Sequence, residues 1–339
     1  MRILLLRTSA LGDVVHCLPV LSALRRALPG ARIAWVVEEA MAPLLEGHPD
    51  LDQLLVVRLR PWRRRPLAAA TAREVAGFLR RLRAFDADVA LDLMGNHKAG
   101  ILAALSFAER RVGARRDARR EPSSALWVDE RVEPSGVHAV DRALSLLAPL
   151  GIARGEADFG GAKLLAAAPP EIAAWRAARG GSPYALLHPG AAWANKRYPT
   201  ASWGEAAAKL RALGGPETVV ATAPGEGQLA REIVAASGGA AAAIEAPSLA
   251  AFAALARGAS LVLGGDTGPL HLAHALGAPV LMVMGPTDPL RHGPYGASER
   301  ALAHRLPCSF CYKRFGEAKA CLLDIAPHEV ARRAAELSL

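Results

Sequence analysis

The sequence predicts an α/β protein built from two doubly wound, Rossmann-like domains. Three observations predict it. The chain has 339 residues, more than one hydrophobic core usually organises. Short apolar runs alternate with amphipathic stretches from the first residues onward. That alternation restarts after a segment rich in Ala, Gly and Pro that ends APPEIAAWRAARGGSP. The spacing predicts an amino-terminal domain over 1–165 and a second over 182–322. A closing helix over 323–339 is expected to pack back toward the first domain.

In the first half, residues 2–7 form an apolar run opening on Thr8, followed by SALGD and an amphipathic stretch over 14–28 closed by Pro29 and Gly30. That pattern is strand, loop, helix. Strands are expected over 33–37, 54–57 and 89–93, and helices over 41–46, 71–84 and 137–149, with an irregular Arg-rich stretch over 110–134. The second half repeats the pattern, with strands over 184–187, 218–221, 261–263 and 280–284. Its helices are expected over 200–213, 227–236, 249–257 and 269–276, and alanine runs are assigned to helix rather than disorder.

Apolar residues at 52% and charged residues at 22% place the chain among globular proteins. The opening MRILLLRTSALGDVVHC is interrupted by Arg7 and Asp13 and lacks a small-residue cleavage site, so it reads as a buried strand rather than a signal peptide. With no long uncharged apolar run, a cytoplasmic protein is expected. The net charge of +9 is uneven: residues 1–163 carry 25 Lys and Arg against 19 Asp and Glu. A positive first half suits nucleic acid, an anionic membrane surface, or a phosphorylated and carboxylated substrate. Four cysteines, three of them clustered as Cys308, Cys311 and Cys321, are too few for a disulfide framework. The C-x-x-C pair lacks a second half of a zinc motif, and no metal site is expected.

Three loops after strands carry the candidate chemistry. In GGDTGPLHLAHALG, over 264–277, glycines admit a ligand to the backbone, and the following helix presents unpaired N–H groups at its positive end. A diphosphate would sit there beside Asp266, Thr267 and His271; alternatively, Asp266 only caps the helix. His274 is expected to be a packed histidine. The HPGAAWANKRYP loop, over 188–199, offers Lys196 as a point charge for phosphate or as an ordinary surface lysine. In TSALGDVVH, over 8–16, Asp13 is either a general base or a helix-capping carboxylate. No G-x-G-x-x-G or G-x-x-x-x-G-K follows a strand, which removes the main support for dehydrogenase and NTPase readings. Two basic loops, RLRPWRRRP and RRDARRE, carry guanidinium groups suited to carboxylates and phosphates.

Together RTSALGDVVHCLPVLSALR, the WVVEE at 35–39, the HPG…NKRYP loop and GGDTGPLHLAHALGAPVLMVMGPTDP resemble the bacterial lipopolysaccharide heptosyltransferases, glycosyltransferase family nine, and most the heptosyltransferase I type. The resemblance spans nearly the whole chain. It implies a GT-B architecture in which the first domain takes the acceptor, the second takes ADP-heptose, and the chemistry occurs in a cleft between them. It implies inverting transfer from ADP-L-glycero-D-manno-heptose to a Kdo residue of the inner core on lipid A, with no cofactor, metal or nucleic acid, and peripheral contact with the inner face of the cytoplasmic membrane. By motif, Asp13 matches the catalytic base and Lys196 the phosphate-contacting lysine. Asp266, Thr267, Gly268 and His271 match the donor-binding turn, and Glu226 in APGEG the acidic residue near the ribose. Arg60, Arg63, Arg64, Lys98 and Arg120 resemble acceptor contacts. Ala191 and Ala192 stand where relatives frequently carry hydroxyls, and DLMGNHKAG departs from the commoner D-x-Q-G form. The alternatives are a family member with another acceptor, such as the heptosyltransferase II type, and a non-catalytic basic binder of anionic surfaces.

Overall fold

The computed structural model describes residues 1–338 and divides into two compact units, Met1–Leu164 and Leu165 onward. The first unit holds a six-stranded parallel sheet of β1 (Arg2–Leu6), β2 (Arg32–Glu38), β3 (Gln53–Val57), β4 (Val89–Asp92), β5 (Arg110–Ala114) and β6 (Glu130–Val132). Its order is β3-β2-β1-β4-β5-β6. The second unit holds β7 (Tyr184–His188), β8 (Glu217–Thr222), β9 (Ala241–Glu245), β10 (Leu261–Gly265), β11 (Val280–Val283) and β12 (Ala301–Leu302), in the order β12-β11-β10-β7-β8-β9. Both units therefore have the same doubly wound topology. In each, the chain reverses direction across the sheet between the first and fourth strands, at β1/β4 and at β7/β10. Ligands bind such sheets beyond the carboxyl ends of those central strands.

The central strands are buried on both faces, which is why they read as unbroken apolar runs rather than alternating ones. Leu4, Leu6, Val36, Phe78 and Leu82 lie in the core of the first unit. Leu187, Trp203, Leu210, Val220, Leu261 and Leu281 lie in that of the second.

Several elements differ from the sequence reading. The stretch over 14–28 is two helices, Leu11–Val15 and Leu18–Ala27, broken before Pro19, whose ring cannot donate to a continuing helix. Residues 110–134 are not irregular but supply β5 and β6. The alanine run over 241–245 is edge strand β9, because pairing with β8 overrides alanine's helical preference. Residues 59–64, read as loop, form the short helix Leu59–Arg64. The closing helix, Pro327–Ser338, belongs to the second of the two units. Val330, Ala331, Ala334 and Ala335 are buried in the core of the second, where the Tyr198 hydroxyl donates to the Ile325 carbonyl at 2.6 Å. An apolar helical face goes where an open sheet face needs covering. Among the described residues no helix is long and apolar enough to cross a membrane.

Candidate functional site

The second unit gathers its polar side chains at the ends of β7 and β10. Gly264 and Gly265 let the strand end pack tightly: a β-carbon on Gly264 would stand 2.6 Å from the His188 carbonyl oxygen, and one on Gly265 2.8 Å from that of Lys196. The chain then presents Asp266, which is buried and binds three groups. His271 Nε2 lies 2.9 Å from Oδ1, Thr287 Oγ1 donates to Oδ2 at 2.6 Å, and Lys196 Nζ pairs with Oδ2. Burial alone would raise this carboxyl's pKa. The hydrogen bond from His271 and the charge of Lys196 outweigh it and hold Asp266 well below the usual carboxylate range.

Asp266 does not occupy the cap position of the helix that follows. The residue at the cap of helix Gly268–Ala275 is Thr267, whose side chain makes no capping bond and whose buried Oγ1 is without a hydrogen-bond partner among the described residues. Gly268 and Pro269 open the helix; Pro269 has no N–H and the His271 N–H donates to the Thr267 carbonyl, which leaves the Gly268 and Leu270 N–H groups available to an anion. His274 turns elsewhere, with Nε2 3.0 Å from the Tyr295 carbonyl oxygen.

The loops after β7 and β8 also meet. Glu226 precedes helix Gly227–Ala236, and its Oε2 would stand 2.6 Å from a β-carbon on Gly190, so a side chain at 190 would displace the carboxylate from its present place. His188, beneath, has its pKa lowered by burial against the opposing pull of Glu226. Its Nδ1 lies 3.2 Å from the Ala221 carbonyl oxygen.

In the first unit Asp13 sits in the opening turn of Leu11–Val15. Oδ2 accepts from the Ala10 N–H at 3.1 Å and Oδ1 pairs with Arg7 Nη2 at 2.6 Å, while Arg7 Nη1 donates to the Leu93 carbonyl at 2.5 Å. Capping and a fixed place at the sheet's carboxyl edge thus coexist in one residue. Lys98, in the first turn of helix His97–Leu105, lies 3.7 Å from Glu38 at the end of β2.

The basic segments divide into anchors and free charges. In Leu59–Arg64, Trp62 packs on Phe78 and donates to Glu74 at 2.9 Å, and Arg58 pairs with Glu39 and Glu74. Arg60, Arg63 and Arg64 are exposed, and among the described residues no carboxylate pairs with them. In RRDARRE, Arg119 is fully buried against Asp92 at the end of β4, and Arg115 pairs with Asp117 and Glu133. Arg120 next to that anchor is exposed. The loop is pinned at 95 and 121, where the Glu121 N–H donates to the Gly95 carbonyl at 3.0 Å.

A family model, glycosyltransferase family 9 (heptosyltransferase), matches residues 75–321, well over half of the chain. The chain belongs to that family. Lipopolysaccharide heptosyltransferase 1 of Pseudomonas aeruginosa is 33% identical over 93% of this chain and 87% of its own length. The namesake from Escherichia coli K12 is 30% identical, covering 88% and 92%. Among solved structures, the E. coli heptosyltransferase WaaC with ADP superposes with a TM-score of 0.76 at 28% identity, over 89% of this chain and 92% of that one. E. coli ADP-heptose lps heptosyltransferase II shares the fold, with a TM-score of 0.74 at 18% identity over 100% and 98%.

The two-domain α/β fold and glycosyltransferase class of this family 9 chain agree with the sequence reading. Thr287, the third partner of Asp266, was missed as a site residue, although it stands in the GPTDP end of a quoted motif. Arg7 and Arg119 were missed because nothing local distinguishes an arginine that holds a carboxylate from one in solvent. Among the described residues no three His, Cys, Asp or Glu side chains gather as a metal would require.

Proposed function

We propose that this family 9 glycosyltransferase transfers heptose from ADP-L-glycero-D-manno-heptose to a Kdo residue of the lipopolysaccharide inner core on lipid A, with inversion. The observation that carries the donor half is the buried Asp266 knot at the start of helix Gly268–Ala275. It fixes a lysine, a histidine and the positive end of a helix beside one strand end, where a leaving diphosphate is best stabilised. The relatives named lipopolysaccharide heptosyltransferase 1 support it. So does the WaaC structure with ADP-2-deoxy-2-fluoro heptose, TM-score 0.75 at 28% identity, over 91% of this chain and 94% of that one.

In this reading Asp13 takes the proton of the acceptor hydroxyl as its oxygen attacks the anomeric carbon. Each carboxylate oxygen of Asp13 uses one lone pair on Ala10 or Arg7 and keeps another for that proton. The bond from the anomeric carbon to the diphosphate breaks with its electron pair, and ADP departs toward Lys196 and the helix start at Thr267 and Gly268. A single displacement inverts the configuration. Glu226 meets the adenosine ribose, and His271 holds Asp266 in place.

Arg60, Arg63, Arg64, Lys98 and Arg120 receive the phosphates and carboxylates of the acceptor, and the exposed arginines rest against the anionic inner face of the cytoplasmic membrane. The diphosphate is neutralised by side chains and helix dipole, without a divalent cation.

The test is incubation with ADP-heptose and defined truncated cores, read by mass spectrometry. One heptose added to Kdo-lipid A, with inverted anomeric configuration by NMR, is expected. Addition only to a core already bearing a heptose would instead assign the heptosyltransferase II type.

A further inference from the structure

Lys196 is the cation that the sequence offers to the donor diphosphate, yet its charge is already matched by Asp266. A diphosphate ester carries more negative charge than one paired ammonium can neutralise. We infer that Arg314 supplies the missing cation: it is a second diphosphate-binding side chain, delivered by the loop that follows β12 and held against Trp193. The inference rests on the donor reading above and deepens it.

Trp193 and Lys196 belong to one short turn after β7. Lys196 Nζ stands 4.7 Å from the centre of the indole, and the guanidinium carbon of Arg314 stands 4.4 Å from that same centre. The two cations therefore share one ring. Three hydrogen bonds hold the intervening loop in place. Asn195, 1% exposed, donates from Nδ2 to the Lys313 carbonyl at 2.9 Å, directly beside Arg314. The Tyr312 N–H donates to the Pro286 carbonyl at 3.0 Å, and the Tyr312 hydroxyl accepts from the Asp288 N–H at 3.3 Å. These contacts tie the loop to the Pro286–Asp288 turn, whose Thr287 donates to Asp266.

Arg314 thus belongs to the same structural unit as the Asp266 knot, but its own charge is uncompensated. It is exposed, and among the described residues no carboxylate pairs with it. A guanidinium lying on an aromatic face keeps its N–H edge free. Two parallel N–H groups on that edge match two oxygens of a phosphate, which an ammonium cannot do. Trp193 orients the fork and limits the entropy lost when phosphate arrives.

The test is isothermal titration of the full-length protein with ADP and, separately, with adenosine. Arg314→Gln is expected to weaken ADP about tenfold or more and to leave adenosine binding unchanged. Arg305→Gln removes an equal charge from a loop arginine that lies over Phe310 instead, and is expected to bind both as wild type. If Arg314→Gln binds ADP as wild type does, or loses ADP and adenosine affinity equally, the inference is overturned while the donor reading stands. Wild-type protein that fails to bind ADP would overturn both.

Discussion

The ammonium of Lys196 is paired with the buried carboxylate of Asp266, which also receives the side chains of His271 and Thr287. One acidic residue thereby draws together the loop after β7, the helix after β10 and the turn after β11. In the proposed donor site Asp266 organises its neighbours and need not touch the sugar.

Replacing Asp266 with Asn leaves the partly exposed Lys196 without its counter-charge, a loss that solvent at the ammonium reduces below that of a fully buried pair. Breaking a fully buried pair costs about 3–5 kcal/mol, and this one is expected to cost less. A lower melting temperature is expected together with loss of ADP binding; a variant that melts and binds as wild type would remove Asp266 from its organising role.

The same carboxylate sets an acid limb. Its folded pKa lies below the ordinary value of 3.8, so its contribution to stability is complete above that value and is lost as pH falls from there toward the folded pKa. Melting curves from pH 5 downward are expected to fall less steeply for Asp266→Asn than for wild type. Parallel curves would contradict this.

Tyr198 sets the opposite limb. Burial pushes its hydroxyl from 10.0 up to about 12 while it donates to the Ile325 carbonyl. The raised pKa means the contribution is intact below pH 10 and disappears as pH rises from about 10 to about 12. Tyr198→Phe is expected to cost about 1–3 kcal/mol at neutral pH, by orphaning a buried carbonyl, and to flatten that alkaline loss. Chemical denaturation at both pH values measures it.

The thiols separate by environment. Cys308 is exposed, whereas Cys17 is buried with its thiol pushed up to about 12. Iodoacetamide is expected to modify Cys308 in native protein and Cys17 only after unfolding. Mass mapping that finds Cys17 labelled as fast as Cys308 would contradict the packing of the Leu18–Ala27 helix.

The sequence carries the central strands plainly, because burial on both faces writes them as apolar runs such as RILLL and YALLH. It hides what depends on partners. Ala241–Glu245 is a strand only because β8 lies beside it, and the Pro327–Ser338 helix is amphipathic toward whichever sheet is open. The candidate site shows the same division. Asp13, Lys196 and Asp266 stand out by their position after strands, and the pairings of Lys196 with Asp266 and of Asp13 with Arg7 do not. Arg119 and Arg120 are neighbours of one type, yet one is buried against Asp92 and the other faces solvent. Only the approach of β4 to that loop decides between them.

In the proposed reaction Asp13 is the base that takes the acceptor proton. Asn at this position keeps an oxygen to accept from the Ala10 N–H but cannot take a proton, and losing the pair with Arg7 is expected to cost about 1 kcal/mol or less. Heptose transfer from ADP-heptose to Kdo-lipid A by Asp13→Asn measures the claim most directly. A fall in kcat of about 10²–10⁴-fold with ADP affinity unchanged is the expected result. Turnover at the wild-type rate would contradict it.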